Sequence, residues 1–124
     1  MAKILIIDDD IQFRKMLRQV LERAGYEVSE AEDGNEGTRV YETEPIDLVI
    51  TDLIMPKKEG IETISELKKK YPYIKIIAIS GGGRVGPESY LTFAEKLGAL
   101  YTFSKPLDRD KVLEAVHELM DGVE

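Results

Sequence analysis

Five apolar runs of strand length recur along the chain, and each gives way to polar residues or glycine. Runs of this length that are rich in isoleucine, leucine and valine predict strands buried on both faces of a sheet. The second run alternates only weakly, which suits a strand nearer the sheet edge. The predicted strands occupy residues 3–7, 26–31, 48–51, 74–79 and 100–104.

Between these runs, apolar residues return at the three- and four-residue spacing of amphipathic helices. Gly25 marks the end of the first helix, and Asp10 and Asp108 are suited to cap the first and the last helix. Asp33-Gly34 predicts a turn. The predicted helices occupy residues 13–24, 35–43, 61–71, 87–97 and 112–120.

Strand and helix therefore alternate five times, without an internal repeat, a linker or a low-complexity tract. Near-continuous apolar strands joined by helices predict a parallel sheet with helices on both faces, which is a doubly wound α/β fold. We expect the strand order 2-1-3-4-5. A chain of 124 residues is the size of one domain, so we expect residues 1–124 to form a single domain, with no effector domain in this chain.

The charge balance narrows the possible partners. Lys and Arg number 17 against 24 Asp and Glu, which gives a net charge of -7 at pH 7. An acidic surface repels nucleic-acid backbones and anionic lipids, so we expect no direct nucleic-acid or membrane partner. The chain has no cysteine, and its apolar runs are too short for a signal sequence or a membrane span. We therefore expect a cytoplasmic protein.

Polar side chains collect where the predicted strands end. Asp8 and Asp9 follow the first strand, Asp52 the third, Ser80 the fourth and Lys105 the fifth. In an open α/β sheet, ligands bind beyond the carboxyl ends of the strands, where the winding reverses. Because strands one and three are expected to be neighbours there, the three acids should converge on that edge.

Converging carboxylates repel one another, by about 4 kcal/mol for two of them about 4 Å apart at an effective dielectric of about 20. A hard dication with oxygen ligands offsets that repulsion, and Mg²⁺ typically takes one or two carboxylates, waters and phosphate oxygens. Lys105 supplies a second positive charge. A nucleophilic carboxylate, a metal, a lysine and a hydroxyl are the groups needed to form an aspartyl phosphate.

The same residues resemble the receiver domain of two-component response regulators, in its single-domain, chemotaxis-regulator-like form. The resemblance spans residues 3–120 and implies a flavodoxin-like (βα)5 fold. The residues that carry it are Asp8-Asp9, Asp52 followed by Met55-Pro56 and Gly60, Ser80, and Lys105-Pro106.

The resemblance implies a phosphoacceptor switch in a phosphorelay, not a conventional enzyme. Asp52 would accept a phosphoryl group from the phosphohistidine of a histidine kinase or from a phosphotransfer protein, with Mg²⁺ as cofactor. The implied metal ligands are Asp9, Asp52 and the Ile54 backbone carbonyl, with Asp8 acting through water. Lys105 would contact the phosphoryl group.

The resemblance also implies how the switch works. Ser80 would close on the phosphoryl group, and the peptide bond between Lys105 and Pro106 would be cis. In the family an aromatic residue usually stands where this chain has Thr102, whereas Tyr101 and Phe103 face the opposite side of the strand, so we expect no ring movement. An unidentified downstream protein would read the changed face, and the domain would be a monomer or weak dimer.

Ile54 bears on the alternative functions. It offers no polar side chain to position an attacking water, so we expect slow self-dephosphorylation. The main alternative is a small Mg²⁺-dependent phosphatase of the haloacid-dehalogenase type, which needs a second acid at that position. A flavodoxin-like flavin binder is another, although Asp8-Asp-Asp10 would repel the flavin phosphate. A third is a docking module that works without phosphorylation, against which the retained acceptor, hydroxyl and lysine argue.

Gly81, Gly83 and Gly86 fit the G-x-G-x-x-G fingerprint of dinucleotide binding, after a predicted strand and before a predicted helix. Glu88, however, lies in the first turn of the helix that should receive a pyrophosphate. No acid ends the following strand either. We interpret the glycines as a flexible loop.

Overall fold

The computed structural model describes residues 2–53, 60–81, 92 and 94–123. Its strands are β1 (Lys3–Ile7), β2 (Glu27–Ala31), β3 (Leu48–Asp52), β4 (Ile76–Ser80) and β5 (Tyr101–Ser104). All neighbours pair in parallel in one sheet, in the order β2-β1-β3-β4-β5. The parallel sheet, its strand order and the edge position of β2 are confirmed.

Helices connect these strands. Their bounds are α1 (Ile11–Arg23), α2 (Gly34–Thr43), α3 (Gly60–Lys70) and the C-terminal helix (Arg109–Met120). Residues 94–97 are also helical, which agrees with the end of the predicted fourth helix. The Ile54 carbonyl, Met55-Pro56, Gly83, Gly86 and Glu88 lie outside the described residues.

Aspartates begin three of the helices. The carboxylates of Asp10 and Asp108 accept hydrogen bonds from backbone N–H groups of α1 and of the C-terminal helix, as predicted. The predicted turn at Asp33-Gly34 is wrong, because Asp33 caps α2 and Gly34 is its first residue. A turn and a helix N-terminus give the same sequence signal, because an Asp side chain accepts hydrogen bonds from nearby backbone N–H groups in both.

Side-chain alternation along the strands divides the core between the two faces of the sheet. Ile4 and Ile6 of β1 pack on the side covered by α1 and the C-terminal helix. Leu5 and Ile7 pack on the side covered by α2 and α3. The predicted doubly wound architecture is thereby confirmed, with helices on both faces.

The central strands differ from the edge strand β5. All residues of β3 and β4 are buried, whereas β5 is half-buried up to its exposed last residue, Ser104. The fully buried β3 thus carries Asp52 to the edge of the sheet. Within the described part of the chain, no helix has both the length and the apolar character needed to cross a bilayer.

Candidate functional site

The strand register brings the predicted acids to one edge of the sheet. Ile7 of β1 pairs with Thr51 of β3, so the next residues, Asp8 and Asp52, emerge side by side. Carboxylate oxygens of Asp8, Asp9 and Asp52 all lie within 4.8 Å of one another. Asp8 and Asp52 are only 1% and 7% exposed, whereas Asp9 is exposed to solvent. The expected convergence of the three acids is confirmed.

Lys105 reaches into this group from the end of β5. Its Nζ donates to Asp8 Oδ2 at 2.9 Å and to Asp52 Oδ2 at 3.2 Å. The ammonium also lies 4.1 Å from the centre of the Phe13 ring, which is a cation–π distance. We call these three acids and Lys105 the rim cluster. Phe13 was predicted only as an apolar helix position, and its spacing carries no signal for a lysine contact.

Backbone contacts fix Asp8 closely. Its N–H donates to the Ala31 carbonyl of β2 at 3.1 Å, and its Oδ1 accepts from the Asp10 N–H at 2.8 Å. Its own carbonyl accepts from Arg14 Nη1 at 2.6 Å. The loop after β1 is therefore held by the neighbouring strand and by α1.

The electrostatics of the rim cluster favour an additional cation. Burial raises the pKa of Asp8 from 3.8 to about 6, although hydrogen bonds from Asp10 and Lys105 oppose the rise. Burial by itself would lower the pKa of Lys105, but its contacts with Asp8 and Asp52 raise that pKa, so the lysine stays charged. Among the described residues of this group, the Lys105 ammonium contacts Asp8 and Asp52, and Asp9 adds a third carboxylate. Carboxylate oxygens in excess of positive charge form a donor set that fits Mg²⁺.

Ser80 ends β4 beside this cluster. It is fully buried, and its hydroxyl has no hydrogen-bond partner among the described residues. Its backbone carbonyl accepts from the Lys105 N–H at 2.9 Å. A buried hydroxyl without a hydrogen-bond partner costs free energy. The Ser80 hydroxyl would therefore gain from donating to an acceptor that binds at the rim cluster.

The remaining predicted switch positions lie along β5 and just beyond it. Thr102 Oγ1 donates to Glu95 Oε1 at 3.3 Å. The rings of Tyr101 and Phe103 stack with centroids 6.4 Å apart and pack against the core on the side of α1 and the C-terminal helix, so they do face away from Thr102. The bond between Lys105 and Pro106 is cis, as predicted.

Two glycines leave room for the site in a way that sequence reasoning missed. A Cβ on Gly60 would lie 1.9 Å from the carbonyl oxygen of Asp52, and a Cβ on Gly81 would lie 2.5 Å from Cδ of Lys105. The first residue of α3 therefore packs directly against the backbone of Asp52. The sequence indicates Gly60 only as part of the receiver-like motif, because its contact with Asp52 depends on where α3 begins in space.

Known proteins are similar to this chain in sequence. Residues 4–117 match the family model described as "Response regulator receiver domain". A chemotaxis protein CheY of Thermotoga maritima is 36% identical over 118 residues, covering 94% of this chain and 96% of that protein. The transcriptional regulatory protein GlrR of Escherichia coli is 33% identical over 120 residues, covering 97% of this chain. The chain spans only 26% of the length of that regulator.

Solved structures of receiver domains have the same fold as this chain. A response regulator receiver domain protein from Clostridium thermocellum superposes with a TM-score of 0.88 at 33% identity, covering 98% of this chain and 95% of that one. The response regulator TrrA of Thermotoga maritima, in complex with Mg²⁺ and BeF, gives a TM-score of 0.85 at 30% identity, covering 96% and 99%.

The fold and the rim cluster together define a CheY-like signalling domain of two-component systems. This chain belongs to the response regulator receiver domain family.

Proposed function

We propose that this receiver domain is a phosphoacceptor switch in which Asp52 takes a phosphoryl group from a phosphohistidine of a histidine kinase or phosphotransfer protein. An Asp52 carboxylate oxygen attacks the phosphorus and forms the O–P bond of an acyl phosphate. The P–N bond breaks, and its electron pair returns to the imidazole of the donor. No oxidant or reductant is needed.

The position of Lys105 carries this proposal. Its Nζ contacts Asp52 Oδ2 at 3.2 Å and Asp8 Oδ2 at 2.9 Å, so a fixed positive charge stands beside the attacking oxygen. Charge develops on the phosphoryl oxygens during transfer, and a positioned ammonium stabilises it. Asp52 itself is nearly buried, which holds its carboxylate in one orientation.

Asp8, Asp9 and Asp52 are the described residues that would hold Mg²⁺, with the Ile54 carbonyl as a further ligand expected from the sequence. Bound there, the metal supplies charge neutralisation and aligns phosphoryl oxygens. The solved structure of TrrA, a receiver relative, contains Mg²⁺ with BeF, and we extend that chemistry to the rim cluster of this chain.

Ser80 is the proposed switch residue. Its buried hydroxyl gains an acceptor when phosphoryl oxygens appear on Asp52, so the phosphorylated state favours movement of Ser80 toward them. The output is a change in the face that a downstream protein contacts. Thr102, at the position usually aromatic in the family, and Pro106 belong to this proposed output region. We further propose that residues 1–124 act as one domain.

Acetyl phosphate with Mg²⁺, followed by intact-mass measurement, tests the acceptor. One phosphoryl adduct is expected on the wild-type chain and none on Asp52→Ala. Asp33→Asn is the matched control, because Asp33 is also buried, lies outside the rim cluster, and asparagine caps a helix equally well. An adduct on Asp52→Ala, or no adduct on the wild type, would overturn the proposal.

The same reaction separates the switch from its alternatives. Phosphate release in many-fold excess over protein would identify a phosphatase and overturn the switch. Slow loss of the adduct is the expected result for a chain with isoleucine at position 54. Binding of a partner that is identical for the wild type and Asp52→Ala, with and without phosphodonor, would identify a docking module.

A further inference from the structure

Three charged side chains join α1 to β2 beside the rim cluster, and we call them the α1–β2 clamp: Arg14, Arg18 and Glu30. Arg14 Nε donates to Glu30 Oε1 at 2.9 Å, and Arg18 Nη1 donates to Glu30 Oε2 at 2.8 Å. Arg14 and Glu30 are mostly buried, with side chains 13% and 22% exposed. Each oxygen of Glu30 is thus bound by a different arginine.

Arg14 also reaches the loop that carries the acids. While its Nε is held by Glu30, its Nη1 donates to the Asp8 carbonyl at 2.6 Å. That carbonyl belongs to the peptide unit linking Asp8 to Asp9, so the hydrogen bond fixes the plane from which the Asp9 backbone continues. The guanidinium is planar and pre-organised, which suits it to bind both acceptors at once.

Asp9 depends on this restraint more than the other acids of the rim cluster do. Asp8 is held by Lys105 and by the Asp10 N–H, and Lys105 also contacts Asp52. Among the described residues, the Asp9 side chain makes no hydrogen bond or ion pair. The position of its carboxylate is therefore set through its backbone.

We propose that Arg14, anchored by Glu30, is a positioning residue for the magnesium site: it fixes the Asp8–Asp9 peptide so that Asp9 presents its carboxylate to the metal. This inference rests on the proposed function, because it assumes that the rim cluster binds Mg²⁺. Arg14 contacts neither the metal nor the phosphoryl group. Its effect is on affinity for the metal and not on the transfer step.

Mg²⁺ titration by calorimetry on the full chain tests the inference. Arg14→Gln should weaken Mg²⁺ binding by about 10-fold, the effect expected for a group that orients a ligand. The phosphorylation rate with acetyl phosphate at saturating Mg²⁺ should stay within about twofold of wild type, as expected when only metal binding is weakened. Arg14→Lys should stay weak, because one ammonium does not reproduce the planar two-acceptor geometry.

Arg18→Gln is the matched control. Arg18 binds the same carboxylate and lies one turn along α1, but no contact joins it to Asp8 among the described residues. Its loss should leave Mg²⁺ affinity unchanged. The metal-free protein gives a second readout: the ¹⁵N resonance of the Asp9 amide should shift in Arg14→Gln and hold its place in Arg18→Gln.

The outcomes separate the two proposals. A wild-type chain that binds no Mg²⁺ overturns the proposed function and the inference with it. Mg²⁺ binding that is equal in wild type and Arg14→Gln overturns the inference alone. Equal weakening by Arg14→Gln and Arg18→Gln, or full rescue by Arg14→Lys, also overturns it, because the effect would then be one of general packing or of charge.

Discussion

The rim cluster and the α1–β2 clamp use the same kinds of charge in opposite proportions. In the rim cluster three carboxylates are grouped with one ammonium, which contacts two of them, whereas in the clamp two guanidinium groups contact one carboxylate. The pKa values respond in opposite directions. Burial raises the pKa of Asp8, while Glu30, for which burial also acts upward, has its pKa lowered by hydrogen bonds from Arg18 and Arg14.

The difference in charge balance distinguishes a binding site, the rim cluster, from a structural ion-pair cluster, the α1–β2 clamp. An acid outnumbered by cations is satisfied within the protein and needs no ligand. Acids that outnumber their cation are left with repulsion that a bound cation relieves, and such perturbed groups are typical of functional sites. Arg14 of the clamp donates to the backbone carbonyl of Asp8, so the charge-satisfied cluster can hold the unsatisfied one in place.

The largest expected effect comes from removing the only cation of the rim cluster. Lys105→Met should lower the free energy of unfolding without Mg²⁺ by about 2–4 kcal/mol at neutral pH, because the Lys105 ammonium then no longer offsets the repulsion between Asp8 and Asp52. Methionine still packs against Phe13, so the loss is electrostatic. Urea unfolding followed by circular dichroism measures it, with the exposed Lys111→Met as control. Unchanged stability in Lys105→Met would show that the lysine does not balance these acids.

A smaller effect of opposite sign is expected for Asp8→Asn. The folded-state pKa of about 6 lies above the ordinary 3.8, so the contribution of Asp8 to stability is full below pH 3.8 and is lost as the pH rises through 6. Asparagine mimics the neutral acid. Without Mg²⁺, the free energy of unfolding of the variant should match that of wild type at about pH 4 and exceed it by about 2–3 kcal/mol at about pH 8.

Urea unfolding across this pH range measures the difference, and Asp33→Asn should show no such gain. Added Mg²⁺ should stabilise wild type more than Asp8→Asn, because the variant lacks one carboxylate of the donor set. A gain that is equally large at both ends of the pH range would contradict the assignment, since it would not follow the ionisation of Asp8.

The smallest effect is expected in the clamp. Glu30→Gln should lower the free energy of unfolding by about 1 kcal/mol, because two charge-assisted hydrogen bonds weaken while Arg14 keeps its contact with the Asp8 carbonyl. Glu42→Gln is the control, since Glu42 pairs with Lys70 on the open surface, and its unfolding midpoint should not change. A loss at Glu30 as large as that of Lys105→Met would erase the distinction between the two clusters.

The fold was predictable because it follows from local signals. Apolar strand runs, helical spacing and polar residues at strand ends define the sheet and place Asp8, Asp52, Ser80 and Lys105 on one edge. Parallel strands present their carboxyl ends together, so no side-chain detail is needed for that step. The turn was wrongly predicted at Asp33-Gly34 because an Asp side chain gives the same local signal in a turn and at a helix N-cap.

The finer parts of the site were not predictable for a different reason. The contact of Lys105 with Phe13 and the bond from Arg14 to Glu30 join residues that lie on different elements, and the bond from Arg14 to the Asp8 carbonyl joins α1 to the loop before it. They depend on side-chain rotamers and on how α1 lies across β1 and β2. An arginine in a helix is compatible with a solvated face, and only the packed structure shows that Arg14 is turned inward.

The two glycines beside the rim cluster set a rule for mutagenesis libraries of this domain. A methyl group at position 60 would overlap the carbonyl of Asp52, which is a backbone group and cannot move aside as a flexible side chain can. At position 81 it would overlap the aliphatic stem of Lys105 along most of its length. Codons 60 and 81 should therefore stay fixed in any library that diversifies the surroundings of the site, whatever specificity is being selected.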